Sequence, residues 1–247
     1  MRVRAAEGRR VISTAAWGER VPVIYFSQPG RAYLFDDETM QEHPGSFYAS
    51  GIVLAGGRSL RLGRDKALEI IGGRPLVRRV IDRISQVTEE IVVVVAEQSQ
   101  ADALPLEEGH RVALDRYPGG GALGGIFTGL AAAQHQWGIA VACDMPFLNL
   151  DLLRRMLCLR QGADAVVPVL RGWPEPTHAI YSKTCLPFME QRLMAGDPKV
   201  SRFFDKVRVA YLPEEEIAAV DPDFLSFFNV NTAKDLARAR EVEARGR

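Results

Sequence analysis

The stretch Gly51-Ile52-Val53-Leu54-Ala55-Gly56-Gly57-Arg58-Ser59-Leu60-Arg61-Leu62-Gly63-Arg64-Asp65-Lys66 decides how this chain folds. Ile52 to Ala55 has the length and branching of a buried strand and is too short for an independent helix. Gly56 and Gly57 end that strand, letting the backbone turn sharply and come close to a ligand. Arg58, Arg61, Arg64 and Lys66 bring positive charge to the same place. A buried strand feeding a glycine-rich, cationic loop suits a triphosphate, which needs bare N–H groups and charge that does not depend on pH. Two better-known phosphate loops do not fit. Gly63 is followed by Arg64 and Asp65, so the Gly-Lys-Ser/Thr ending of a Walker A loop is missing. No frame of Gly56, Gly57 and Gly63 gives the Gly-x-Gly-x-x-Gly of dinucleotide folds.

Outward from this stretch, short β-branched runs alternate with longer helical ones. The pattern predicts strands at 51–55, 90–95, 111–114, 139–143 and 165–169. It predicts helices at 75–87, 124–135, 150–160, 184–195 and 232–244, with Asn231 and Thr232 as side-chain caps for the last. Strands without polar alternation imply an α/β fold: a mostly parallel sheet in the middle of three layers, helices on both faces. In such folds ligands sit at the carboxyl ends of strands.

The chain has 247 residues with 31 basic and 31 acidic side chains, a balance that argues against a general nucleic-acid partner. No apolar run is long enough to cross a membrane, and none near Met1 has the character of a signal peptide. Cys143, Cys158 and Cys185 are odd in number and lack metal-ligand spacing, which reads as reduced thiols of a cytoplasmic protein. Residues 1–48 mix Arg2, Arg4, Arg9 and Arg10 with scattered aromatics and prolines. They are expected to be an extension outside the main domain, either poorly ordered or the product of an upstream start that the cell does not use. The domain that carries the chemistry is expected over 49–247.

Two further loops follow predicted strands. Asp115-Arg116-Tyr117-Pro118-Gly119-Gly120-Gly121-Ala122-Leu123-Gly124-Gly125 holds five glycines, and exposed backbone there suits the edge of a flat base or sugar. Ala142-Cys143-Asp144-Met145-Pro146-Phe147 places a carboxylate directly after a buried strand. Beside a triphosphate the natural task of such an Asp is to hold Mg²⁺, a hard cation that prefers oxygen ligands.

These segments resemble the molybdenum cofactor guanylyltransferase family, the MobA-type nucleotidyltransferases. The family's Leu-Ala-Gly-Gly followed by a loop and Gly-x-Asp-Lys matches residues 54–66. Its Tyr-Pro-Gly segment matches 117–125 apart from Ala122, which stands where Pro is usual. Its Cys-Asp-x-Pro matches 143–146 and its Asn-Val-Asn-Thr matches 229–232. The resemblance runs in order from about 49 to 242 and implies a Rossmann-like nucleotidyltransferase fold.

It also implies roles. Leu54, Ala55, Gly56 and Gly57 would supply backbone contacts to the guanine nucleotide. Lys66 would bind its phosphate or ribose, Arg61 would neutralise phosphate charge, and Asp115 would contact the nucleotide. Asp144 would hold Mg²⁺. Asn231 would complete the metal or nucleotide site or cap the last helix, with Asn229 as runner-up. Pro176, Thr177 and His178 would face the acceptor. Val95 departs from an Asn found in some members, and Glu175-Pro176-Thr177 from a commoner Gln-Pro-Leu.

The implied reaction is attack by the terminal phosphate of Mo-molybdopterin on the α-phosphorus of GTP. A phosphate nucleophile is already anionic at neutral pH, so no strong general base is needed, in keeping with four histidines of which none lies in the three loops. Molybdoenzyme apoproteins and molybdenum-insertion proteins are the implied partners. The rival readings are a molybdopterin cytidylyltransferase, another sugar- or alcohol-phosphate nucleotidyltransferase, and an adaptor that binds nucleotide without chemistry.

Overall fold

The computed structural model describes the backbone of four short strands before residue 42, then residues 48–57 and 66–246. The chain divides into two units, residues 1–47 and 48–247. In the first, β1 (Val11–Ile12), β2 (Val23–Gln28), β3 (Arg31–Asp36) and β4 (Thr39–Gln41) pair antiparallel in sequence order. The readings of residues 1–48 as poorly ordered or as an unused start fall outside the described residues.

The second unit is an eight-stranded mixed sheet. Its strands are β5 (Ala49–Leu54), β8 (Glu90–Val95), β9 (Arg111–Leu114), β10 (Trp137–Ala142), β11 (Ala165–Leu170), β12 (Trp173–Pro174), β13 (His178–Ser182) and β14 (Val209–Leu212). A small hairpin of β6 (Ile70–Ile71) and β7 (Arg74–Pro75) stands apart. The sheet order is β12-β11-β13-β10-β5-β8-β9, with β14 on the free side of β11. β10, β5, β8 and β9 are mutually parallel. Only β13 and the two-residue β12 run against them.

The central parallel strands β5 and β8 are buried on both faces, so Ile52-Val53 and the Val92–Val95 run carry no polar alternation, whereas β9 at the edge is largely exposed. On one face Ile52, Val94, Ala140 and Tyr181 pack under α3 (Gly121–Ala132) and α5 (Leu186–Met194). The opposite face takes α1 (Leu76–Ile84) and α4 (Leu150–Cys158). The remaining helices are α2 (Gln98–Ala103), α6 (Glu214–Ala218) and α7 (Ala233–Ala244). A separate apolar cluster joins Ile71 and Leu76 to Phe147, Val230 and Leu236, tying α7 to the site edge of the sheet. Among the described residues no helix is long and apolar enough to cross a membrane.

Several elements, among them α2, β12, β14 and α6, lie outside the sequence expectation, and two differences bear on the site. α3 begins at Gly121 rather than 124, because its glycines serve close packing. A Cβ on Gly129 would lie 2.2 Å from Ile52 Cγ2, and one on Gly125 would lie 3.1 Å from Leu54 Cδ2. The buried strand β13 has no counterpart among the strands predicted from the residue pattern, and with β12 it supplies the antiparallel members of the mostly parallel sheet.

Candidate functional site

β5 and β10 lie side by side and end together, so the loops after them share one edge of the sheet. The Cys143 N–H donates to the Leu54 carbonyl at 3.1 Å, and the Ala55 N–H to the Val94 carbonyl at 2.8 Å. Leu54 and Ala55 thus each commit a backbone group to the sheet. Gly56 comes next and passes close to β8: a Cβ there would sit 2.9 Å from the Ala96 nitrogen. At Gly57 a Cβ would meet nothing within 4 Å. Arg58, Arg61 and Arg64 lie in residues 58–65, outside the described residues.

The chain re-enters at Lys66, on a short 3-10 turn (Lys66–Leu68) whose Ala67 is buried. Lys66 Nζ donates to Asp144 Oδ2 at 2.5 Å and to Asn231 Oδ1 at 3.2 Å. Residues 66, 144 and 231 are thereby brought together from three distant parts of the sequence. Asp144 is 5% exposed, and its Oδ1 is buried with no hydrogen-bond partner among the described residues. A buried carboxylate oxygen without a donor is costly and marks a place where something else binds.

Asn231 reaches this point through a strap of chain that is fixed at several places. The Asp221 carboxylate accepts from the backbone N–H of Leu225 and Ser226. Ser226 Oγ accepts from the Asn149 N–H at 2.8 Å, and the Asn149 side chain caps α4. The Val230 N–H donates to the Asp144 carbonyl at 2.9 Å, locking the strap to the metal-type loop itself. Thr232 is the residue that caps α7, in a capping box with Asp235, which leaves the Asn231 amide oxygen to Lys66. The Asn229 side chain bonds locally to the Phe227 carbonyl.

Asp115 stands at the end of β9, three strands from β10, or about 14 Å across the sheet. Its Oδ1 accepts from the Tyr117 N–H at 3.0 Å and from Thr128 Oγ1 at 3.3 Å. It shapes its own loop and does not join the group around Lys66. Within that loop Pro118 and Gly119 are exposed, while Gly124 and Gly125 are buried in α3.

On the other side of β10, the Ala142 N–H donates to the Thr177 carbonyl at 3.1 Å. His178 is fully buried against the Phe227 ring, with centroids 4.7 Å apart. Burial lowers its pKa to about 4, against the smaller opposing effect of a backbone hydrogen bond with Ser226. It is a neutral wall rather than a proton carrier. Glu175 is half-buried, which raises its pKa. Sequence reading flagged Glu175 only as a departure from a pattern. Its nearness to the Asp144 loop depends on β13, which a Pro followed by the apolar run His-Ala-Ile-Tyr could have signalled.

The donor set fits a hard divalent cation: one buried carboxylate with a spare oxygen, an amide oxygen beside it, and no cluster of three acidic, His or Cys ligands among the described residues. Such poverty of protein ligands suits an ion that takes its remaining oxygens from water and substrate phosphate.

Comparison with known proteins agrees with this geometry. Residues 51–211 match the family model of the MobA-like NTP transferase domain. A protein of Pelotomaculum thermopropionicum named "Probable molybdenum cofactor guanylyltransferase" is 38% identical over 199 residues, covering 81% of this chain and 95% of that protein. The molybdenum cofactor guanylyltransferase of Desulfosudis oleivorans is 34% identical over 200 residues, covering 80% and 97%. Among solved structures, molybdopterin-guanine dinucleotide biosynthesis protein A from Archaeoglobus fulgidus superposes with a TM-score of 0.70 at 28% identity, over 80% of this chain and 99% of that one.

Proposed function

The chain belongs to the MobA-like NTP transferase family, and from that premise we propose that it transfers GMP from GTP to the terminal phosphate of Mo-molybdopterin. An oxygen of the acceptor phosphate bonds to the α-phosphorus, and the bond from that phosphorus to the β-phosphate oxygen breaks. Pyrophosphate leaves with the electron pair, and the guanine dinucleotide remains. The observation that carries this reading is the convergence of Lys66, Asp144 and Asn231 at the carboxyl edge, with a buried Asp144 oxygen left without a donor.

Asp144, with Asn231 beside it, would hold Mg²⁺. When bound, such an ion withdraws charge from the phosphates of the nucleotide. The chain's own residues do the rest by alignment and charge neutralisation. Lys66 is paired with Asp144 in the free protein. With its Asp144 carboxylate partner engaged by such an ion, the Lys66 ammonium would be available to bind phosphate oxygens of the nucleotide. Arg61 adds charge from the cationic loop. Gly56 and Gly57 bring backbone to the nucleoside, and Asp115 orders the loop that faces its base or ribose. Neutral His178 fits a reaction whose nucleophile is already ionised.

Cys143, Cys158 and Cys185 form no disulfide with one another, in keeping with a reducing cytoplasmic setting. Apoproteins of molybdoenzymes and molybdenum-insertion proteins are the partners that such a product calls for.

The test is pyrophosphate release from GTP, ATP and CTP with Mg²⁺, with and without Mo-molybdopterin. Release that needs both GTP and the acceptor is expected. Release with CTP instead would keep the fold and chemistry but make the enzyme a cytidylyltransferase. Folded protein that releases nothing, given intact acceptor, would overturn the reading.

A further inference from the structure

We propose that Trp173 and Glu175 form the seat of the acceptor's pterin ring, the indole stacking on its face and the carboxylate accepting hydrogen bonds from its ring N–H and amino donors. This rests on the guanylyltransferase reading and extends it to the other half of the crevice.

The strand order divides the carboxyl edge. The nucleotide loops follow β5 and β9, and Asp144 follows β10. What remains of that edge is the β13-β11-β12 side. β11 runs antiparallel to β13, as β10 does, so β11 is parallel to β10 and its end at Leu170 opens on the same edge. There the chain reverses through Arg171 and Gly172, with φ of 52° and 79°. Two successive positive φ values make the tight two-residue hairpin turn whose twist matches its strands. A non-glycine residue held in this region stores strain, and the Arg171 N–H is fixed by Glu214 Oε2 at 2.7 Å. The hairpin is therefore a rigid mount rather than a loose loop.

Trp173 is the first residue after that turn and is 72% exposed. Glu175 follows two residues later. Its N–H donates to the Pro168 carbonyl at 2.9 Å, and its carbonyl accepts from the His178 N–H at 3.1 Å. The backbone at Glu175 is thus fixed on both sides. The antiparallel register pairs Val141 with His178, and the Thr177 carbonyl accepts from Ala142. The turn that carries Glu175 therefore leads into β13 where it meets Ala142, two residues before Asp144. The Glu175 side chain is half-buried and has no ion pair or hydrogen bond among the described residues. A desolvated carboxylate without a partner invites a neutral donor pair, because two parallel N–H groups match its two oxygens. A 2-amino-4-oxo pterin presents such a pair on a flat ring suited to stacking.

Guanine presents the same donor pair, so the experiment must separate base from pterin. In the full chain, Trp173→Ala and Glu175→Ala are each assayed by pyrophosphate release, varying Mo-molybdopterin at saturating GTP and then GTP at saturating acceptor. Stacking on an aromatic ring and a charged hydrogen bond each predict an acceptor KM raised about tenfold. The GTP KM should stay within about twofold under the same reasoning. Pterin without its phosphate arm should compete with the acceptor in the wild type and lose that competition in both variants. An unchanged acceptor KM in both variants, or a rise in the GTP KM instead, overturns the subsite while leaving the guanylyltransferase reading intact. A wild-type protein without acceptor-dependent turnover overturns both.

Discussion

On the β5-β8-β9 side of the proposed site the residues singled out are glycines of the loop after β5; on the β13-β11-β12 side they are an exposed tryptophan and a half-buried glutamate in front of a fully buried histidine. The first side shows itself as residue types at fixed local spacing, from Leu54 to Lys66. The second is assembled by an antiparallel pairing between residues about 40 positions apart. Backbone recognition accepts any nucleotide of the right shape at the phosphates, whereas side-chain recognition selects one ring. Asp144, at the end of β10, stands between the two.

The largest effect should come from that boundary. Asp144→Ala removes the only carboxylate among the described residues in the group with Lys66 and Asn231, and turnover should fall by at least about a thousandfold. Lys66→Ala removes one donor to phosphate and should cost about a hundred- to a thousandfold in kcat. Equal residual activity in the two variants at saturating GTP and Mg²⁺ would sink the ranking and make the site symmetric between its two charges.

The acceptor side should show itself in acid. His178 is fully buried with its pKa lowered to about 4, whereas the unfolded chain takes up that proton near 6.5. The folded value lies below the unfolded one, so the contribution to stability is complete above about pH 6.5 and is lost as pH falls toward 4. The full difference is about 3 kcal/mol. Melting temperature should decline through this window, and His178→Phe should flatten the decline. Asp164, held down to about 2 chiefly by hydrogen bonding to Arg208, acts only at lower pH. A variant that declines as steeply as wild type between pH 6.5 and 4 would remove His178 as the cause.

On the nucleotide side, Gly56→Ala should be felt first by the fold. The new Cβ would meet the Ala96 nitrogen at 2.9 Å and the Val95 carbonyl carbon at 3.2 Å, and backbone atoms cannot rotate away. The cost should be about 1–3 kcal/mol, read as a lower melting temperature in the absence of nucleotide. An unchanged melting temperature with weakened GTP binding would mean that Gly56 serves the ligand alone.

What the sequence made legible follows the same division. Ile52-Val53 and the Val92–Val95 run announce buried parallel strands because branching and length decide them locally. Lys66 and Asp144 are legible through motifs that a short loop must keep intact. The glycines of 119–125 read as open backbone, yet Gly124 and Gly125 belong to a buried helix; glycine content alone does not separate a loop from a helix that must lie close to a sheet. Asn231 was open between cap and site, and Thr232 settles the cap through its box with Asp235. β13 escaped because five residues behind a proline carry little periodicity, and its pairing is long-range.

The smallest effect should come from Gly57, and it bears on which base the nucleotide side takes. A Cβ there would meet nothing within 4 Å, and its φ is not in the left-handed region. Gly57→Ala should therefore leave the melting temperature of the free protein within about 0.5 kcal/mol of wild type. The methyl group would instead occupy space open to a bound base. A purine edge needs more of that space than a pyrimidine, so the ratio of kcat/KM for GTP to that for CTP should fall, by less than about tenfold for one methyl group. Stabilisation by each triphosphate in a melting experiment gives an independent reading of the same preference. If both ratios stay at the wild-type value, space at residue 57 does not set the base, and selection must come from the loop that Asp115 and Tyr117 hold in place.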